Sequence, residues 1–534
     1  LATSSNPPGE PGKRGGVRGA LEDILPIERF GDQRTILAGT GQSAIGLIVA
    51  IVATFATQVL ITRVQGPAVF GIITLATQGA LVLGFFSRVG MDMAAVRRVA
   101  IDVGQGQRSR VRALVNRASV ISAVASVAVT AIVLVFAAPL ARAFASDRWE
   151  GEAIVVFRAA AFAIPFAALV QVHLGATRGL KIMRHTLYVF WMGQPLGWFL
   201  LILLGWLLLG SAEVGITAVA YAASWALAAA AAAWLWHRES RGFGSDPPAA
   251  GEVKDLLRYG APRAPAALFS QLLFWTDLFV LARFADSAET GIYAAAARAA
   301  QVILLFIISV SLMFSPFVAD LHARGERDKL DRLFKQITRW TLAATLPLFI
   351  TLILTPGSAL HLFGSEFGRG RSALVILLLG QLVNVATGTV GFVLIMAGRT
   401  GWDLAVYAGS IAFDILIATF LIAGLDLGMV GAATAGALTM ALSNVARLLL
   451  VRRFIRIQPF DREFLRLAIP AGAAVAAGLA AHLLLGTASW PVDLLGTALV
   501  VAGVYFGVLL AAGLPAAERR AALRLASAAL GRAR

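Results

Sequence analysis

Runs of about twenty apolar residues recur along the whole chain, and each is long enough to cross roughly 30 Å of hydrocarbon as a helix. We place them at 36–62, 67–87, 118–139, 153–175, 187–210, 214–236, 260–284, 289–317, 340–364, 371–396, 402–424, 427–451, 465–486 and 491–513. A backbone in lipid must satisfy its own N–H and C=O groups, so runs of this length are read as helices. With 58% hydrophobic and 14% charged residues among 534, too little polar surface remains to keep the chain in water. The expected class is therefore all-α: a polytopic membrane protein of about 14 transmembrane helices. Ala-rich stretches such as 470–482 carry a weaker signal, which leaves twelve or thirteen spans as an alternative.

The basic residues test that count. With the N-terminus on the inside, 36 of the 46 Lys and Arg fall in inward segments and only six (Arg63, Arg142, Arg148, Arg283, Arg369, Arg371) in outward loops. This is the asymmetry of the positive-inside rule, and it puts both termini in the cytoplasm of a cell membrane. Basic loops such as RVRALVNR (110–117) then report topology, with contact to membrane lipids secondary and no role for nucleic acid. The longest outward loop, near Leu140–Glu152, is too short to house a domain. Zero cysteines exclude disulfides and thiolate chemistry, and the six histidines lack metal-binding spacing. No catalytic residue and no cofactor is expected, so an enzyme is disfavoured.

An internal echo organises the spans. LITRVQGPAVFGI (60–72) aligns without gaps on VLARFADSAETGI (280–292), matching Arg63 with Arg283, Ala68 with Ala288, Gly71 with Gly291 and Ile72 with Ile292. VGITAVAYA (214–222) resembles LGMVGAATA (427–435) at a similar offset. Each pair opens equivalent helices of two six-helix groups, which predicts two lobes related by a pseudo-two-fold along the membrane normal. The expected division is a disordered cytoplasmic tail 1–33, a first lobe 34–237, a cytoplasmic linker 238–255, a second lobe 256–453, and two extra helices with a basic tail over 454–534. Residues 1–30 show no charged-then-apolar signal peptide.

Charges inside the spans point toward function, since an Arg or Asp facing lipid at mid-bilayer costs roughly 2.5–3.5 kcal/mol. Asp277 and Arg298 flank one outward turn at similar depth. They form either an ion pair that locks two helices or part of a cavity wall. Arg158 is a second intramembrane arginine, while Arg263 and Arg447 lie near inner ends where they can snorkel. A guanidinium grips phosphate oxygens in a two-pronged fork, so Arg298 and Arg158 suit an anionic cargo. Gln271, Gln301, Gln381 and Asn384 suit sugar hydroxyls, although most such residues serve only as interhelical hydrogen-bonding groups. Asp277 and Asp414 are the mid-membrane carboxylates suited to carry H+ or Na+. Pro165, Pro195, Pro262, Pro265 and Pro347 interrupt spans, and GQPLGW (193–198) reads as a hinge.

The order and spacing of several small-residue motifs carry a family resemblance. They are VQGPAVFGI (64–72), SRVGMDMAAVRRVA (87–100), Asp277 with GIYAAA (291–296), FSPFVADL (314–321), LFGSEF (362–367), LLLGQLVNVATG (377–388), LIMAGRTGW (394–402) and GMVGAATAGALT (428–439). Over residues 36–453 the chain resembles polysaccharide flippases of the Wzx/RfbX type, within the multidrug/oligosaccharidyl-lipid/polysaccharide exporter superfamily that includes MurJ and the MATE exporters. It departs from the pattern at Asp414, where the family often has Asn, and at LDLG (425–428), where a proline commonly stands. The resemblance implies a lipid-linked glycan on a polyprenyl diphosphate, flipped from the inner to the outer leaflet by a secondary transporter. It further implies a polysaccharide polymerase or glycosyltransferases as partners, and a lipid-tail groove beside the last two helices. A lipid II flippase and a cation-coupled drug exporter share the architecture and stay open as alternatives.

Overall fold

The computed structural model describes residues 33–513 apart from 245, 247–250, 262–263, 305, 308–317, 319–320 and 323, with side chains from residue 49 onward. The expected tail, Pro262, Arg263, most of FSPFVADL (314–321) and the chain beyond 513 lie outside the described residues. Every regular element is helical. Among the described residues, eleven helices are long and apolar enough to cross a membrane, so this is a multi-pass membrane protein.

The first half contains α1 (Gln33–Ser87), α2 (Met91–Gly104), α3 (Arg108–Phe144), α4 (Glu150–Gly179), α5 (Gln194–Leu209) and α6 (Val214–Glu239). At its centre α4 packs against α1, α2, α3 and α6. Small buried residues on α4, among them Ala160, Ala161, Ala163, Ala168 and Gly175, let these neighbours approach closely, which is how helices associate where lipid supplies no hydrophobic drive. Then follow α7 (Glu252–Gly260), α8 (Ala264–Leu272), α9 (Thr276–Phe284), α10 (Ser287–Gln301), α11 (Arg327–Leu354), α12 (Arg371–Thr387), α13 (Val390–Met396), α14 (Thr400–Thr419) and α15 (Gly428–Phe454). In this half α15 packs on α9, α12 and α14. The last pair, α16 (Ala468–Leu485) and α17 (Trp490–Val508), lies against α11. Asp493 pins that pair, with His482 Nδ1 at 2.7 Å and Ser358 Oγ donating at 2.5 Å.

The first two expected spans are the two arms of α1, which divide at a non-helical Gly66 (φ 79°, ψ 179°) just before Pro67. Gly66 adopts the positive φ that an L side chain resists, and Pro67 cannot donate to the preceding turn. Other expected spans are interrupted, and 371–396 is two helices, α12 and α13. The run 260–284 is two short helices, α8 and α9, separated by a break at 273–275. The run 289–317 is helical as α10 to Gln301, and much of its remainder is undescribed. Pro165 and Pro347 stay inside unbroken helices, whereas Pro195 follows a π-helical turn over Leu187–Gly193. A turn of that kind absorbs an extra residue and loosens the helix locally.

The two halves meet on opposite sides of the membrane. On the side away from the basic loops, a Cβ on Gly71 would lie 2.5 Å from Ser287 O, and one on Gly291 would collide with Pro67 O. Residues 67 and 287, like 71 and 291, are 220 apart, so the two copies of the echo exchange equivalent contacts. That reciprocity is the hallmark of a two-fold interface. Beside it, Ser146 N donates to Ser287 Oγ and Ser287 N to Ser146 Oγ, both at 3.0 Å. Arg63 adds donors to His361 O (2.5 Å) and Leu362 O (3.0 Å). On the basic side, Gly90 (φ +67°) lies so close to Gly260 that a Cβ on it would strike Gly260 O.

Gly291→Ala is expected to destabilise the detergent-solubilised protein by about 1–3 kcal/mol through overpacking, whereas Gly409→Ala, with nothing within 4 Å, leaves its melting temperature unchanged. Because the chain has no native cysteine, a Ser146→Cys/Ser287→Cys pair is expected to lose maleimide labelling on mild oxidation. Persistent labelling of both thiols would contradict this seam.

Candidate functional site

The break between α8 and α9 sets Asp277 in the first turn of α9, where unpaired backbone N–H groups favour a carboxylate. Its Oδ1 accepts Leu278 N at 2.7 Å, and its Oδ2 accepts the Tyr293 hydroxyl of α10 at 2.6 Å. Irregular backbone at membrane depth is tolerated where protein or a cavity surrounds it, and Asp277 is buried. Gly436 of α15 faces it so closely that a Cβ there would collide with Asp277 Oδ2. The missing side chain is what admits the carboxylate.

Asp414 of α14 is 1% exposed and accepts the Thr439 hydroxyl of α15 at 2.9 Å. The helix that carries it, α14, packs against α9, which carries Asp277. Among the described residues neither carboxylate has a cationic partner, and no three His, Asp or Glu side chains converge on a metal-binding point. Two carboxylates with hydroxyl oxygens form a hard-oxygen set suited to a proton or an alkali cation. A hollow of about 40 Å³ opens on Asp277, Gln301, Gln381 and Gly436. It has room for a water molecule or a small ion and none for a sugar.

Arg298 faces elsewhere. Its guanidinium lies 4.4 Å from the Trp275 ring centroid, and Nη1 reaches Gln301 Oε1 only at 3.5 Å. Its Nε is buried without a hydrogen-bond partner. The charge falls within electrostatic reach of Tyr221 of α6, whose hydroxyl donates to Thr77 O at 3.3 Å. The helix that carries Arg298, α10, packs against α1 of the first half, and Arg298 does not pair with Asp277, whose oxygens go to Tyr293 and Leu278.

The other expected site residues divide. Gln381 and Gln301 line the hollow, and Asn384 Nδ2 donates to Gln381 Oε1 at 3.2 Å. Gln271 is half-buried on α8 outside that lining; its carbonyl accepts Phe274 N at the break. Arg158 is exposed on α4 between exposed Val155 and Phe162, and among the described residues no contact joins it to Arg298. Arg447 does not snorkel. It is 6% exposed, donates to Asp403 Oδ1 at 2.8 Å and lies 4.3 Å over Tyr407. Tyr293, Thr439 and Gly436 escaped the sequence reading. Tyr293 was within reach of it, because it sits across the same turn as Asp277, in GIYAAA.

Several known proteins are similar to this chain. A match at 22% identity to the probable low-salt glycan biosynthesis flippase Agl15 of Haloferax volcanii covers 289 residues, 54% of this chain and 57% of that relative. The chain thus spans little more than half the length of this curated relative. The fold resembles the lipid II flippase MurJ in an inward closed conformation, with a TM-score of 0.70 and 16% identity, over 87% of this chain and 97% of that one. It also resembles a multidrug resistance MATE family transporter of the MOP superfamily in its inward-facing conformation, with a TM-score of 0.63 and 14% identity, over 83% and 98% of the two chains. The family described as polysaccharide biosynthesis protein matches residues 36–322, more than half of the chain. On that match over more than half of its length, the chain belongs to the polysaccharide biosynthesis protein family.

Proposed function

We propose that the protein is a secondary transporter that flips a polyprenyl-diphosphate-linked oligosaccharide from the inner to the outer leaflet by alternating access. The observation that carries this reading is Arg298: a guanidinium at mid-membrane, on a helix packed against the first half, with a buried Nε lacking a partner. An uncompensated cation there is costly until an anion arrives. A diphosphate supplies the acceptors that Trp275 and Gln301 do not. The glycan name of the archaeal relative and the family match support the cargo class.

The architecture that goes with it has fourteen spans. Bending at Gly66 divides α1 into two, and α8 with α9, and α10 with the residues after it, supply two more. Two six-helix lobes related by a pseudo-two-fold, with α16 and α17 added, account for the reciprocal Gly71 and Gly291 contacts. The basic face is cytoplasmic by the distribution of Lys and Arg. Closure at the echo seam gives an inward-opening state, and separation of the same seam releases cargo outward.

Asp277 and Asp414 couple this motion to a proton or sodium gradient. Both carboxylates lie on packed helices, and like charges held in a low-dielectric interior repel. Cation binding cancels that repulsion and draws α9 toward α14 and α15. A lipid II cargo is the second reading, favoured by the MurJ fold likeness and served by the same diphosphate chemistry. A cationic drug would meet repulsion from Arg298.

Arg298→Ala is expected to lower surface-glycan export at least tenfold in a flippase-deficient host at unchanged protein level, and Arg298→Lys to restore only part of it, because a point charge cannot form the fork. Wild-type export by Arg298→Ala would overturn the cargo assignment. In proteoliposomes scored for movement of a fluorescent polyprenyl-diphosphate sugar, Asp277→Asn and Asp414→Asn are each expected to abolish acceleration by an imposed sodium or proton gradient. If both gradients still accelerate either variant, these carboxylates do not couple.

A further inference from the structure

On the basic face, away from the hollow around Asp277, α2 and α7 enclose a second hollow of about 320 Å³. Its floor is apolar, formed by Ala94 and Leu256. Its walls carry three guanidiniums, Arg97, Arg98 and Arg258, against one carboxylate, Asp255. Arg97 is splayed over the Tyr259 ring at 4.7 Å from its centroid, which leaves the edge of its fork directed away from the ring. Arg98 lies 3.5 Å from Asp102 Oδ1 through Nε, yet that Nε is buried with no hydrogen-bond partner. Among the described residues no carboxylate pairs with Arg258.

The setting matters as much as the charge. Helix α7 is amphipathic: Lys254, Asp255 and Arg258 occupy one face, while Val253 and Leu257 border an apolar depression beside it. Such a helix lies along a membrane surface at headgroup depth. The hollow exceeds the roughly 30 Å³ share of one water by about tenfold, enough for a hydrated tetrahedral anion. Next to it the Gly90 and Gly260 backbones touch, so both walls are held at fixed separation.

We propose that this hollow binds a phosphate group, on an anionic lipid headgroup or as the free ion, between Arg97, Arg98 and Arg258. It is separate from the transport path and does not depend on what the protein carries. Because α2 belongs to the first half and α7 leads into the second, the bound phosphate bridges them.

The test uses the purified full chain, probed by native mass spectrometry with phosphatidylglycerol against phosphatidylcholine, and by thermal shift with inorganic phosphate in lipid-free detergent. Arg97→Gln/Arg258→Gln is expected to weaken the phosphate probe at least tenfold, equivalent to about 1.4 kcal/mol or more. Asp255→Asn, which removes the carboxylate of the described lining, is expected to tighten it, and this gain of binding does not depend on whether the double variant folds. Variant-sensitive retention of phosphatidylglycerol identifies a lipid source, and a variant-sensitive shift with inorganic phosphate identifies a soluble one. Binding of both probes that none of these substitutions alters, or equal retention of the two lipids in every variant, would overturn the proposal.

Discussion

Hydrocarbon offers no solvation to an ionised group, and this constraint accounts for the partners that surround the buried charges of the membrane portion. Asp277 stands at the mouth of a short helix with a tyrosine hydroxyl on one oxygen and a backbone N–H on the other. Arg447 is neutralised by Asp403. Arg298 alone among these combines deep placement with a buried nitrogen that nothing satisfies while facing no carboxylate. The contrast separates charges that hold helices together from one whose hydrogen-bonding capacity the protein leaves unfilled.

Much of the helical architecture was legible from sequence because hydrocarbon thickness sets the length of an apolar run. The echo at 60–72 and 280–292 was weak as an alignment, yet its glycines became the point where the halves touch. What the sequence concealed were features made by distant partners or by backbone. No proline marks the break at 273–275, so the run around it scanned as one apolar helix. Asp403 lies 44 residues from Arg447, and only folding brings them together. Arg158 and Arg298 look alike in sequence, since a polar residue in an apolar run has no signature for the face it occupies. One proves exposed between Val155 and Phe162, the other carried on a helix packed against the first half with its Nε buried.

Hydroxyls complete the picture of a polar interior made safe. Thr57, Thr77, Thr341, Thr345, Thr351 and Thr355 each return a hydrogen bond to a carbonyl four residues back in their own helix. They add polar volume without leaving a donor bare. Thr439 is different, because its proton goes across helices to Asp414. Thr130 and Thr217 likewise reach across helices, to Ala161 O and Gln65 Oε1.

The closure between Gly71, Gly291, Pro67 and Ser287 is made of main-chain atoms. Atoms of the main chain are the same whatever residue carries them, so sequence around this junction can diverge while its close approach is kept, provided those two glycines stay bare.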